Sequence, residues 1–172
     1  AVQQADSQAQ QTDSQTGTQN NGTAQSSAPA QSTQQASGTV IGTCTTSYVD
    51  NIPRATNVAL AAQRINGTVV QPGGSFSFSN TILPRTSANG YVTAPIYVSQ
   101  VSSTLYAAMV YAGLPATERH AHSLPVDYLP AGLDATIAGS YLDLKFTNTF
   151  SQPLLIQASA NGGTLTVTLV LQ

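Results

Sequence analysis

The sequence predicts an α+β domain: a largely antiparallel sheet with two main helices, preceded by a disordered tail. Two segments carry apolar residues at helical spacing, and several others alternate apolar with polar residues or are rich in β-branched residues, as strands are. The first 38 residues contain no Leu, Ile, Phe or Tyr. Two helices combined with mostly antiparallel strands define the α+β class.

Residues 1–38 are predicted to be a spacer. They hold eleven Gln, and their only charged residues are Asp6 and Asp13. Such a stretch has too little apolar surface to offset the backbone entropy of ordering, about 1–2 kcal/mol per residue. A Gln-rich segment that stacks through amide ladders is the alternative. The remaining residues, 39–172, are expected to form the folded domain.

The first half of the domain begins with a strand over Thr39–Tyr48, which Pro53 ends. A helix is predicted over Thr56–Ile65, because apolar residues recur on one face, and Asn66-Gly67 closes it. The residues of that face are Val58, Ala61, Ala62 and Ile65.

Extended structure follows at Val69–Val70 and again at Ser75–Ser79, where Phe and Ser alternate. The second helix carries an apolar stripe, ends at Gly113 and has Ser99 as its expected N-cap. The stripe residues are Val101, Leu105, Ala108, Met109 and Ala112. The last third is predicted to be strands, the final two joined by a hairpin at Asn161-Gly162-Gly163. These strands are Thr117–Ser123, Ala135–Ala138, Leu142–Thr147, Leu154–Ala158 and Thr164–Leu171.

The composition excludes several classes of function. Five basic and seven acidic residues give a net charge of −2, which is too few cations for a phosphate-binding surface. No apolar run approaches the length of about 18 residues that a membrane span needs. The single cysteine, Cys44, excludes an intramolecular disulfide, although it could pair with another chain. His120 and His122 lack a third ligand nearby, so no metal and no cofactor are expected.

The order of Ser99, His122 and Asp134 resembles that of a nucleophile, a base and an orienting carboxylate. A helix N-terminus stabilises a developing oxyanion, and a downstream histidine can take the proton of the nucleophile. Each residue also has a structural interpretation. Ser99 could cap its helix, His122 could be a hydrogen-bonded structural histidine, and Asp134 could cap a turn after Gly132.

Several sequence blocks in the correct order resemble a VanW-type domain over essentially all of residues 39–172. The blocks include residues 65–78, 84–86, 100–106, 118–119, 122–132 and 134–136, together with Arg54, Asn57 and Gly90-Tyr91. The resemblance implies an extracellular or cell-envelope protein, since VanW-type domains are associated with glycopeptide-resistance gene clusters. Matching residues expected to contact a ligand are Gln100, Arg85, Tyr91, Arg119 and Tyr128.

The family pattern has a glycine-rich run ending in Cys-Gln at the start of the second helix, in an order similar to transglutaminase-like and papain-like enzymes. Here Ser99 precedes Gln100, and Pro95–Val98 contains no glycine. A serine hydroxyl ionises far less readily than a thiol, and without glycines the backbone cannot approach a carbonyl closely. The resemblance therefore implies a degenerate catalytic site.

Three functions are compatible with these observations. The first is a non-catalytic envelope module that binds a cell-wall polymer or peptide, peptidoglycan-like in character. The second is an acyl-transfer or amide-hydrolysing enzyme that uses Ser99, His122 and Asp134. The third is a surface structural subunit assembled through its Gln-rich segment and Cys44. The first is the prediction that we carry forward.

Overall fold

The computed structural model describes residues 38–92 and 97–172, and it confirms the α+β class. Residues 1–37 lie outside the described residues, so the spacer remains a prediction. The strands are β1 Thr39–Ser47, β2 Thr68–Val70, β3 Ser75–Ser77, β4 Ala116–Glu118, β5 Lys145–Thr147, β6 Leu154–Asn161 and β7 Thr164–Leu171. The α-helices are α1 Ile52–Ile65, α2 Phe78–Ile82 and α3 Val98–Tyr111.

The strands form two antiparallel sheets. The larger sheet has the order β1-β7-β6-β2, and the smaller one has the order β3-β5-β4. The hairpin between β6 and β7 turns at Gly162 and Gly163, whose φ angles of 53° and 76° suit glycine. This confirms the hairpin predicted at Asn161-Gly162-Gly163.

Helix α1 starts earlier than predicted. Asn51 caps it by accepting a hydrogen bond from the Arg54 N–H, and Pro53 lies in the first turn, where its missing N–H costs nothing. All four predicted stripe residues are buried, and Gly67 follows the helix with a φ of 82°. Pro53 therefore belongs to the start of α1 rather than to the end of the preceding strand.

Helix α3 packs against β1 and β7. Gly42 of β1 meets the helix at Ala108 and Ala112, and the hydroxyls of Thr46 and Thr104 hydrogen-bond at 2.9 Å. Gly113 ends the helix region with a φ of 70°, as predicted. These contacts hold the middle and the C-terminal end of α3 close to β1.

Four predicted strands differ from the structure. The strand predicted over Leu142–Thr147 begins only at Lys145. The alternation at Ser75–Ser79 ends at Ser77, because the Ser77 and Asp143 side chains cap α2 by accepting hydrogen bonds from main-chain N–H groups. The strand predicted over Thr117–Ser123 stops at Glu118, and His122 lies beyond it. Ala135–Ala138 forms no strand and contributes one isolated bridge, between Ala138 and Leu142.

Cys44 lies in the core with 7% of its surface exposed, and burial raises the pKa of its thiol. A thiol in that position is poorly placed to pair with another chain. This argues against the assembly role suggested for Cys44 and favours its interpretation as a small core residue.

The carboxylate of Glu118 joins the two strands β4 and β5. It accepts hydrogen bonds from Lys145 Nζ at 2.7 Å, His120 Nε2 at 3.0 Å and the Asp143 N–H at 3.1 Å. The bonds from Lys145 and His120 lower the pKa of Glu118 from 4.5 to about 2. Its contribution to stability is therefore present above pH 4.5 and is lost as the pH falls through about 2.

We expect Glu118→Gln to reduce the pH dependence of unfolding in acid. The glutamine cannot bind a proton, so the free energy of unfolding should fall less steeply between pH 4.5 and about 2. Urea unfolding at intervals across this range measures the slope. Equal slopes for the two proteins would contradict the assignment of this interaction to the folded state.

Candidate functional site

A cavity of about 150 Å³ lies at the N-terminal end of α3. It is lined by Arg54, Tyr97, Ser99, Gln100, His122, Val126 and Tyr128. Ser99, Gln100, His122 and Tyr128 are sequence-predicted site residues, and the structure brings them together here. Arg54 and Val126 also line the cavity, although neither was predicted to contact a ligand.

His122 is held by Asp134, as the sequence order predicts. Asp134 Oδ2 accepts hydrogen bonds from His122 Nδ1 at 2.8 Å and from the His122 main-chain N–H at 2.7 Å. Arg119 binds the other carboxylate oxygen at 3.0 Å and the Asp134 carbonyl at 2.7 Å. The Arg119 guanidinium also lies over the Tyr106 ring, 5.0 Å from its centroid. Arg119 thus positions Asp134 rather than lining the cavity.

The carboxylate of Asp134 is ionised at neutral pH. Burial by itself would raise its pKa, but the hydrogen bonds from His122 and the charge of Arg119 outweigh burial and lower the pKa. Because the Asp134 carboxylate engages Nδ1 of His122, Nε2 is the ring nitrogen that remains for another partner. Within the described residues, Nε2 makes no hydrogen bond.

Ser99 does not cap α3. The helix begins at Val98, and its N-cap residue is Tyr97. The Ser99 hydroxyl accepts a hydrogen bond from the Ile137 N–H at 3.2 Å and lies 3.4 Å from the Ile137 carbonyl, to which it donates. Across the described ranges, no hydrogen bond joins Ser99 to His122.

Ser99 belongs to a row of hydroxyls on one face of α3. Ser102 donates to the Ala135 carbonyl at 2.6 Å, and Ser103 accepts from the Ala135 N–H at 3.0 Å. These three serines, at positions i, i+3 and i+4, hold the main chain of residues 135–137 against the helix. They supply the hydrogen bonds that the predicted strand over Ala135–Ala138 would otherwise have made. The row was not predicted, although three serines on one face of a predicted helix were a visible signal for it.

Three other residues that line the cavity, Gln100, Arg54 and Tyr128, also contact neighbouring residues. Gln100 Nε2 donates to the Ser47 carbonyl at 2.8 Å and so connects α3 to the end of β1. Arg54 stacks on the Tyr97 ring, 4.6 Å from its centroid. Among the described residues, Arg54 has no carboxylate partner. Tyr128 lies near Ser103, and burial raises the pKa of its phenol, which stays a neutral donor.

Arg85 and Tyr91 lie elsewhere. Arg85 donates to the Gly139 carbonyl at 2.8 Å. Tyr91 is 3% exposed, donates to the Ile82 carbonyl and packs beneath Arg64. Neither lines the cavity, so the two are not part of the site that we propose.

The two histidines have different carboxylate partners. His120 bonds to Glu118, and His122 bonds to Asp134. Over residues 38–92 and 97–172, no three His, Cys, Asp or Glu side chains come together as ligands. No helix in these same ranges is both long and apolar enough to cross a bilayer.

Comparison with known proteins identifies relatives of the chain. Residues 53–170 match the family described as VanW like protein. The chain is 39% identical over 131 residues to the YoaR protein of Bacillus subtilis (strain 168), an alignment that spans 69% of this chain and 43% of the relative. No solved structure gives a significant match. The further resemblance to transglutaminase-like enzymes remains a prediction. On the extent of the family match and the identity to YoaR, the chain belongs to the VanW family.

Proposed function

We propose that this VanW domain is a non-catalytic module of the cell envelope, which binds a peptidoglycan-like wall ligand in the cavity at the start of α3. The observation that carries the proposal is the hydrogen bonding of Ser99. Its oxygen accepts from the Ile137 N–H at 3.2 Å and lies 3.4 Å from the Ile137 carbonyl, whereas across the described ranges it makes no hydrogen bond to His122. A nucleophile needs its proton within reach of a base, at about 2.6–3.2 Å.

The chemistry of the cavity suits a polar ligand with few charges. Arg54 supplies one cation, while Tyr128 and His122 supply hydrogen-bonding groups beside the apolar Val126. Charged residues make up only 7% of the chain, so long-range attraction to a highly charged polymer is weak. A wall peptide or polysaccharide fits these properties better than a nucleic acid does.

The enzyme alternative rests on one specific observation. His122 is paired with Asp134 at 2.8 Å, and both His122 and Ser99 line the same cavity. A rotation of Ser99 away from Ile137 would be needed before His122 could accept its proton. Ser99→Cys tests this alternative, since a more ionisable thiol would restore turnover of wall fragments in a recently disabled enzyme.

The binding proposal is tested by pull-down of the full chain with purified insoluble cell walls. Val126→Arg places a long charged side chain in the cavity and should abolish capture. Leu124→Arg makes the same change at a residue that is 75% exposed and outside the cavity lining, so capture should persist. Equal capture of both variants would show that the cavity is not the binding site. Failure of the unsubstituted chain to bind walls would overturn the proposal.

We expect Ser99→Ala to lower stability without lowering wall binding. The change leaves the buried Ile137 N–H and C=O without their partner, which costs about 1–3 kcal/mol. Urea unfolding measures the loss, and pull-down below the unfolding range measures binding. Unchanged stability would show that the hydrogen bonds of Ser99 to Ile137 do not stabilise the domain. Loss of wall binding by a folded variant would show that Ser99 contacts the ligand directly.

A further inference from the structure

A larger groove lies beside the cavity and shares Arg54 and Tyr128 with it. The groove has a volume of about 530 Å³. One wall is the end of β1 and the residues after it, Thr45–Val49, and the other wall is Asp127 with Tyr128. Because the two spaces share two residues, a ligand that follows the groove would reach the cavity at Arg54.

The wall formed by β1 is the edge of the four-stranded sheet. The Tyr48 N–H donates to the Gly163 carbonyl, and the register pairs Thr46 with Leu165. Hydrogen-bonded pairs alternate along an antiparallel ladder, so the main-chain groups of Thr46 face β7. Those of Thr43, Thr45 and Ser47 therefore face outward, and of these three residues Thr45 and Ser47 line the groove.

This outward edge is available for pairing at its main-chain groups. In the described part of the chain, the one hydrogen bond made to it between Thr43 and Ser47 comes from Gln100, at the Ser47 carbonyl. Strand β1, with the sequence TVIGTCTTS, contains no charged residue and no proline, the residues that commonly block pairing at a sheet edge. Among the described residues, two donors and one acceptor therefore remain for pairing along this edge. The donors are the Thr45 and Ser47 N–H groups, and the acceptor is the Thr45 carbonyl.

We propose that the groove binds an extended wall peptide by strand addition to β1, with a carboxylate of the peptide at Arg54. This inference rests on the proposed function and names the ligand class of the same site. An extended peptide repeats its main-chain groups every two residues, about 6.6–6.8 Å, which matches the spacing of Thr45 and Ser47. The acetamido groups of a wall polysaccharide are substituents of its sugars, so its main chain offers no such alternation of N–H and C=O groups.

The charges in the groove orient the peptide. Arg54 lies at the junction with the cavity and, over the described ranges, has no acidic partner, so it can pair with a carboxylate. Asp127, on the opposite wall, is exposed and would repel a carboxylate placed beside it. The carboxylate is therefore expected at the Arg54 end of the groove.

The experiment uses the soluble peptides that an amidase releases from purified cell walls. Amide hydrogen exchange of the full chain is measured with and without these peptides. Strand addition should slow exchange of the Thr45 and Ser47 amides at least about tenfold, while the Thr46 amide, already paired with β7, should keep its rate. Slowed amides outside the β1 edge, or no slowing at all, would overturn the inference.

Two variants and one modified ligand test the carboxylate contact. Arg54→Gln should weaken peptide binding by about tenfold or more, whereas Arg85→Gln, which removes the same charge outside the groove, should change it by less than about twofold. Peptides whose carboxylates have been converted to methylamides should bind the unsubstituted protein as weakly as normal peptides bind Arg54→Gln. Combining the methylamide peptides with Arg54→Gln should lower the affinity no further. A further loss in the combination would show that Arg54 does not contact the carboxylate.

The outcomes separate the two proposals. Capture of the protein by intact walls, combined with no effect of the released peptides, would retain the proposed function and contradict strand addition. It would point instead to the glycan of the wall. Failure of intact walls to capture the chain would overturn the proposed function itself.

Discussion

Replacing Gly42 with alanine is expected to destabilise the domain by about 3 kcal/mol, because overpacking between a strand and a helix has no free space to relax into. A Cβ at position 42 would overlap the Ala108 carbonyl and lie 2.9 Å from the Ala112 side chain. The first of these atoms is main chain, so α3 as a whole must move away from β1. Urea unfolding, with the midpoint and slope compared at neutral pH, measures the loss.

The matched control for Gly42→Ala is Thr43→Val, one residue along the same strand. Thr43 is exposed, so this change should alter the free energy of unfolding by no more than about 0.5 kcal/mol. The Gly42 variant should also weaken wall binding, because a displaced α3 moves Gln100, which lines the cavity. A fully stable Gly42→Ala protein would show that α3 and β1 are further apart than described.

Replacing Asp134 with alanine is expected to cost about 3 kcal/mol at pH 7, since it leaves two hydrogen-bonded partners without their acceptor. Asp134 is 8% exposed and accepts hydrogen bonds from His122 and Arg119. The Arg119 charge would remain beside Tyr106 with only a carbonyl as partner. The effect is structural, so it should appear in the free energy of unfolding without any substrate.

Asp127→Ala is the control for this change, because it removes an exposed aspartate from the same region. It should alter stability by no more than about 0.5 kcal/mol. The stabilisation by Asp134 should also be lost in acid, because folding lowers the pKa of its carboxyl group. Its contribution to the free energy of unfolding is therefore present above the ordinary pKa of 3.8 and is lost as the pH falls below it. Equal stability of the two variants at neutral pH would contradict a stabilising role for the His122 and Arg119 contacts.

The elements that were predictable from sequence are those whose signals are local. The Asn161-Gly162-Gly163 turn specifies the β6–β7 hairpin by its backbone conformation, and the apolar face of α1 specifies that helix. The pairing of His122 with Asp134 also follows the sequence order. The turn and the helix are each determined by residues within a short stretch, and the His122–Asp134 pair matches the order of a base and its orienting carboxylate.

The errors arise where distant side chains replace main-chain hydrogen bonds. Ser99 looks like an N-cap from its neighbours, but its partner is Ile137, 38 residues away. Phe78 starts a helix rather than continuing a strand, because the Asp143 carboxylate, from a different part of the chain, binds the Ser79 N–H. Tyr91 is expected from the family resemblance to contact a ligand, but it is buried and its ring packs beneath Arg64. Local periodicity contains no information on these contacts.

The account depends on Ser99 supporting the main chain at Ile137 instead of attacking carbonyl groups. The most direct test incubates the full chain and its Ser99→Ala variant with purified cell walls, and follows both the bound protein and the appearance of new amino groups. The account predicts saturable binding of both proteins with no new amino groups. New amino groups produced by the unsubstituted chain and absent with Ser99→Ala would contradict it.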